Sequence, residues 1–149
     1  NGMSEEREYN YIAGLSMGGY GALKIAMANP DKFAGAASFS GAIDVCSYMA
    51  KGILDGGHMW QDVFGRVEDI VGTVNDVYGT TQKQIERGVG LPSIYLSCGT
   101  EDGLLPSTRK MHELLEQNGI KHAYREAPGN HNWEFWDDEI QHALSYFFD

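Results

Sequence analysis

The sequence predicts an α/β fold in which parallel strands alternate with crossover helices. Two observations carry that expectation. Short apolar runs bounded by glycine or proline alternate along the chain with longer segments whose apolar residues recur at helical spacing. Their order is strand, helix, strand, insertion, strand, helix, strand, helix, and strands separated by helices pair in parallel through crossovers. The length of 149 residues suits one domain with one core.

Residues 9–13 form a short aromatic and apolar run ending at Gly14, read as a buried strand. Residues 17–28 carry Tyr20, Leu23, Ile25, Ala26 and Met27 at helical spacing, and Asn29-Pro30 stops that helix. Residues 35–40 are a strand of small residues closed by Gly41, and residues 93–98 are a third strand between Pro92 and Gly99. Pro106 opens a helix through about Asn118, with Met111, Leu114 and Leu115 facing inward and Gly119 ending it. Residues 123–127 are a fourth strand. Residues 133–148 form a closing helix whose buried stripe is Phe135, Trp136, Ile140, Leu144 and Phe147. The segment 41–91 breaks the alternation. It is too long for a plain loop and is expected to hold short helices that form a cap on a single domain spanning 1–149.

The formal net charge is −10, and such a surface repels phosphate backbones and anionic headgroups. Nucleic acid and membrane partners are therefore not expected, and no apolar run reaches the length of about 20 residues that spans a bilayer. Cys46 and Cys98 lie 52 positions apart, which matches neither a metal site nor a disulfide framework. Two unpaired thiols tilt the compartment slightly toward the cytoplasm. No nucleotide loop or metal-ligand spacing occurs in the sequence, so no cofactor or metal is implied.

Gly14-Leu15-Ser16-Met17-Gly18 fits G-x-S-x-G at a strand-to-helix turn. A serine on such a turn is held in strained backbone angles that lift its hydroxyl above the sheet edge. Both flanking glycines are expected to be required, because a side chain there would strike the neighbouring strand or helix. The pentapeptide alone is a weak signal in a chain with 19 glycines. Its placement is stronger, because an acid and a histidine follow in the required order. Asp102 stands 86 residues after Ser16 and directly after the third strand; His131 stands 29 residues later, directly after the fourth. Ser16 is thus the candidate nucleophile, His131 the base, Asp102 the acid and the Met17 backbone N–H an oxyanion donor. Glu101 and Asp137 are the nearby alternatives to Asp102, and Glu101, one position earlier, is expected to point the other way.

Each residue also has a plain structural reading. Ser16 would serve as an ordinary helix N-cap. Trp133, Phe135 and Trp136 would pack behind His131. His58, His112, His122 and His142 read as ordinary loop and helix histidines, with His58 in the cap the one to follow. Tyr48, Trp60 and Phe64 fit either the core of the cap or the wall of a substrate pocket.

These residues resemble a known family. Residues 12–23 (IAGLSMGGYGAL), 38–42 (SFSGA), 98–102 (CGTED) and 129–134 (GNHNWE) are similar to the esterases that include tributyrin esterases, S-formylglutathione hydrolases and feruloyl or acetylxylan esterases. The resemblance implies an α/β-hydrolase fold, a Ser16–Asp102–His131 triad, and a small-molecule acyl ester, short-chain or aromatic, as substrate. The elbow at residues 14–18 of this chain lies deep within the family's domain, after several strands. The chain is therefore expected to be the C-terminal portion of that fold. It would pair with the missing N-terminal half or with another copy of itself, and alone it would be weakly active for want of one oxyanion donor. Two alternatives stand beside the esterase: a prolyl-oligopeptidase-like serine peptidase, whose elbow Ser16–Tyr20 also resembles, and a non-catalytic fragment serving as an assembly partner. Transfer of the acyl group to an alcohol instead of water is left open.

Overall fold

The structure is a computed structural model and describes residues 4–52 and 59–149. After a 3-10 turn at Arg7–Tyr9 the elements are β1 (Tyr11–Leu15), α1 (Met17–Ala28), β2 (Gly35–Phe39), α2 (Val45–Ala50), α3 (Met59–Phe64), α4 (Val77–Glu86), β3 (Ser93–Gly99), α5 (Leu105–Gln117), β4 (Ala123–Ala127) and α6 (Trp133–Phe148). The strands form one sheet in the order β1-β2-β3-β4, every neighbouring pair parallel.

Side chains alternate between the two faces of a strand, and here that alternation separates two apolar clusters. Ala36, Ile94 and Leu96 pack with Leu23 and Met27 of α1 and with Met111 and Leu115 of α5. Ala37, Phe39 and Tyr95 pack with Phe135, Trp136 and Ala143 of α6. The elements from the 41–91 segment join the first cluster: Ile43, Val45, Tyr48, Trp60, Ile70 and Val77 belong to it. Asp44 and Asp76 cap α2 and α4 by accepting from the backbone N–H of Ser47 and Gly79. Cys98, near the end of β3, is fully buried, and burial pushes its thiol up to about 12. Cys46 on α2 is only partly buried, and both are free thiols.

Three expectations are corrected. The first strand begins at Tyr11 rather than residue 9, and it is half-exposed rather than buried because it is the edge strand of the described sheet. Leu144 is 49% exposed and Trp133 72% exposed, so neither belongs to a buried face. The inner face of α6 instead contains Glu139, 0% exposed, which accepts from the Tyr95 hydroxyl at 2.9 Å and from Arg125 Nε at 2.7 Å. A carboxylate is tolerated there because a cation and a hydroxyl satisfy it. No helix of the described residues is long and apolar enough to cross a membrane.

Candidate active site

Parallel topology brings the C-terminal ends of all four strands to one edge of the sheet, and the three residues singled out in sequence stand there. Ser16 follows β1 with φ 55° and ψ −122°, and Asp102 and His131 lie in the loops after β3 and β4. Among the described residues only Ser16 and Ser40 combine a side chain with a positive φ. The strain at Ser16 is held by its surroundings: its N–H donates to the Phe39 carbonyl at 2.9 Å, and its own carbonyl accepts from Gly19, Tyr20 and Ala42.

The two glycines of the motif are not equivalent. A Cβ on Gly14 would stand 2.1 Å from the Gly18 carbonyl oxygen, so the chain crosses itself there too closely for any side chain. A Cβ on Gly18 meets nothing within 4 Å, which overturns the expectation that both positions exclude a side chain. Gly19 is the second constrained position, with the Ser38 hydroxyl 2.6 Å from its ideal Cβ.

Ser16 makes no side-chain cap bond to α1. Its Oγ lies 2.9 Å from His131 Nε2, and His131 Nδ1 lies 2.8 Å from Asp102 Oδ2. A carboxylate only accepts, so Nδ1 carries the hydrogen and Nε2 turns a lone pair toward the hydroxyl. The Asp102 side chain is 1% exposed and that of His131 35%, so the acid is buried while the base reaches the surface. The other Asp102 oxygen accepts from the Leu104 N–H at 2.9 Å, which fixes the carboxylate in its loop. Glu101 turns away to the backbone of Gly129, whose N–H holds its carboxyl below the usual range. The Trp136 ring meets His131 edge-on, with centroids 4.8 Å apart, and its indole N–H donates to Ser40 Oγ at 3.1 Å. Met17 opens α1, where the first N–H groups of a helix have no intrahelical partner.

Tyr48, Trp60 and Phe64 are not part of this group. Tyr48 and Trp60 are buried in the first apolar cluster, and Phe64 packs against it, stacked on Trp60 at 5.6 Å and edge-on to Tyr20. A cavity of about 250 Å³ beside the elbow is lined instead by Gly14, Leu15, Phe39, Trp133, Trp136 and Ile140. The exposure of Trp133, two residues after His131, was the signal absent from the sequence. His58 lies outside the described residues.

The family model described as “Putative esterase” matches residues 2–147. The chain belongs to this family. It is 29% identical over 147 residues to an acetyl esterase of Caldicellulosiruptor saccharolyticus, covering 95% of this chain and 55% of that protein. Two Staphylococcus aureus structures share its fold. One is an S-formylglutathione hydrolase (TM-score 0.86, 28% identity); the other is a fluorophosphonate-binding serine hydrolase with substrate bound (TM-score 0.87, 26% identity). Each match covers 99% of this chain and 57% of the other. The chain therefore spans somewhat more than half the length of these relatives, and its fold is that portion of an α/β-hydrolase.

Proposed function

We propose that this chain carries the catalytic centre of a serine carboxylic-ester hydrolase acting on short-chain or aromatic acyl esters. The observation that carries the reading is the hydrogen-bonded series Ser16 Oγ, His131 Nε2, His131 Nδ1, Asp102 Oδ2, built at the ends of three parallel strands. In the first step the Ser16 oxygen bonds to the ester carbonyl carbon while its proton passes to His131 Nε2, and the Met17 N–H faces the developing oxyanion. Collapse breaks the bond to the leaving alcohol, which takes the proton back from His131. Water then repeats the sequence on the acyl-serine and releases the acid. Asp102 keeps the imidazole in its productive tautomer and stabilises its cation.

The working enzyme is proposed to be completed by the family's N-terminal half or by a second copy of this chain, docked on the exposed β1 edge. Fluorophosphonate labelling tests both parts of the reading. The chain, its Ser16→Ala variant, and the chain mixed with the N-terminal half of a relative are compared. Labelling of the wild type, alone or supplemented, and none of the variant supports Ser16 as the activated nucleophile; labelling that requires the N-terminal half supports completion by it, and equal labelling of the bare monomer overturns completion. Absence of labelling in every form sinks the hydrolase reading in favour of a non-catalytic assembly partner.

A further inference from the structure

Away from the candidate active site, two histidines meet where α5 turns back toward β4. His112 Nδ1, on α5, lies 2.8 Å from His122 Nε2, in the residue before β4. The remote nitrogen of the His122 ring also has a fixed acceptor. His122 Nδ1 lies 2.7 Å from the Ile120 carbonyl, so that nitrogen carries the hydrogen and Nε2 presents a lone pair to His112. His112 Nε2 has the Glu116 carboxylate 3.8 Å away, one helical turn on. The His112 ring is clamped as well, stacked on Tyr124 with centroids 3.9 Å apart and planes at 5°. Tyr124 is in turn hydrogen-bonded to Glu126, which Arg109 grips with two bonds of 2.7 Å.

We propose that His112 and His122 form a binding site for a tetragonal divalent metal ion, copper(II) or nickel(II), which staples α5 to β4. Metal-ligating histidines characteristically donate the other ring N–H to a carbonyl or carboxylate; His122 has that partner in place, and the exposed Glu116 carboxylate stands one helical turn from His112 Nε2. The spacing selects the geometry. Two cis nitrogens on bonds of about 2.0 Å stand about 2.9 Å apart at a tetragonal centre and about 3.3 Å apart at a tetrahedral one. The observed 2.8 Å, set here by the shared hydrogen bond, needs little change to reach the first. Binding moves the shared hydrogen from His112 Nδ1 to Nε2, the nitrogen nearest the Glu116 carboxylate, so both lone pairs become available without loss of a proton. Water fills the remaining positions, since both rings are only partly buried. The ten-residue separation fits no metal-ligand spacing in the sequence. A second cluster, Asp138, Glu139 and His142, also brings ligand atoms together, but Arg125 already neutralises it through Glu139 at 2.7 Å and Asp138 at 3.6 Å.

Copper(II) titration of the full chain, read by electron paramagnetic resonance and thermal melting, tests the site independently of the reaction proposed above. One ion is expected to bind at micromolar concentration, with hyperfine structure from two nitrogens and a raised melting midpoint. Glu116→Gln, an exposed helix-surface change, is expected to weaken binding about tenfold. His112→Asn or His122→Asn is expected to remove the two-nitrogen signal, and His142→Asn to leave it unchanged. A wild-type spectrum with one nitrogen or none, or binding only at millimolar copper, overturns the proposal without recourse to any variant.

Discussion

Glu101 and Gly129 hold each other through two hydrogen bonds. The Gly129 N–H donates to Glu101 Oε2 at 2.6 Å, and the Glu101 N–H donates to the Gly129 carbonyl at 3.0 Å. The loop bearing Asp102 is thereby tied to the loop bearing His131, two residues before the imidazole. The join is close: a Cβ on Gly99 would stand 2.2 Å from the Gly129 oxygen. Glu101→Ala is expected to lower kcat of the active form about tenfold with KM little changed, because a misplaced base affects chemistry more than binding. Glu101→Gln keeps an acceptor for the Gly129 N–H and is expected to retain most of the activity. Steady-state kinetics with an aryl acetate distinguishes the two variants.

Asp102→Asn is expected to reduce kcat by about 10⁴, since an amide at that position favours the wrong imidazole tautomer. Its thermal midpoint provides the control. A loss of activity that tracked unfolding would assign Asp102 a structural role only.

The two motif glycines are expected to respond in opposite ways. Gly14→Ala places a methyl against the Gly18 carbonyl and should abolish folding at the elbow. Gly18→Ala meets open space in the first turn of α1 and should stabilise the helix, by at most ~1 kcal/mol. Denaturant titration of Gly18→Ala beside the wild type measures this, and a destabilised Gly18→Ala would contradict the geometry described.

Stability should also fall in acid for an identifiable reason. Arg109 lowers the Glu126 carboxyl from 4.5 to about 2. A group whose folded value is depressed contributes fully above its unfolded value and loses that contribution as pH falls toward the folded one. The contribution of Glu126 is therefore present above about pH 4.5 and is lost by about pH 2. Melting midpoints across that range should decline less steeply in Glu126→Gln than in the wild type.

Much of this architecture was legible because its boundaries are chemical. Asn29-Pro30, Pro92 and Pro128-Gly129 punctuate the chain, and α1, β4 and α6 span the residues the pattern indicated. Asp102 and His131 were legible because each directly follows a strand. What escaped depended on contacts between distant residues. An apolar run reads alike in an edge strand and a central one, so the exposure of β1 was hidden. Glu139 has no place in the apolar stripe of the closing helix, and its partner Tyr95 lies 44 positions earlier. Gly18 looked constrained by analogy with Gly14, and only the path of α1 separates the two.

The burial of Cys98 gives the protein an internal clock. Cys98 lies four residues before Asp102 on the strand leading to it, and its thiol is inert while β3 stays closed, whereas Cys46 is partly accessible. A thiol reagent applied to the folded protein should therefore label Cys46 first. It should reach Cys98 only when β3 parts from its neighbours, so the rate of the second modification counts openings of the strand that supports the acid.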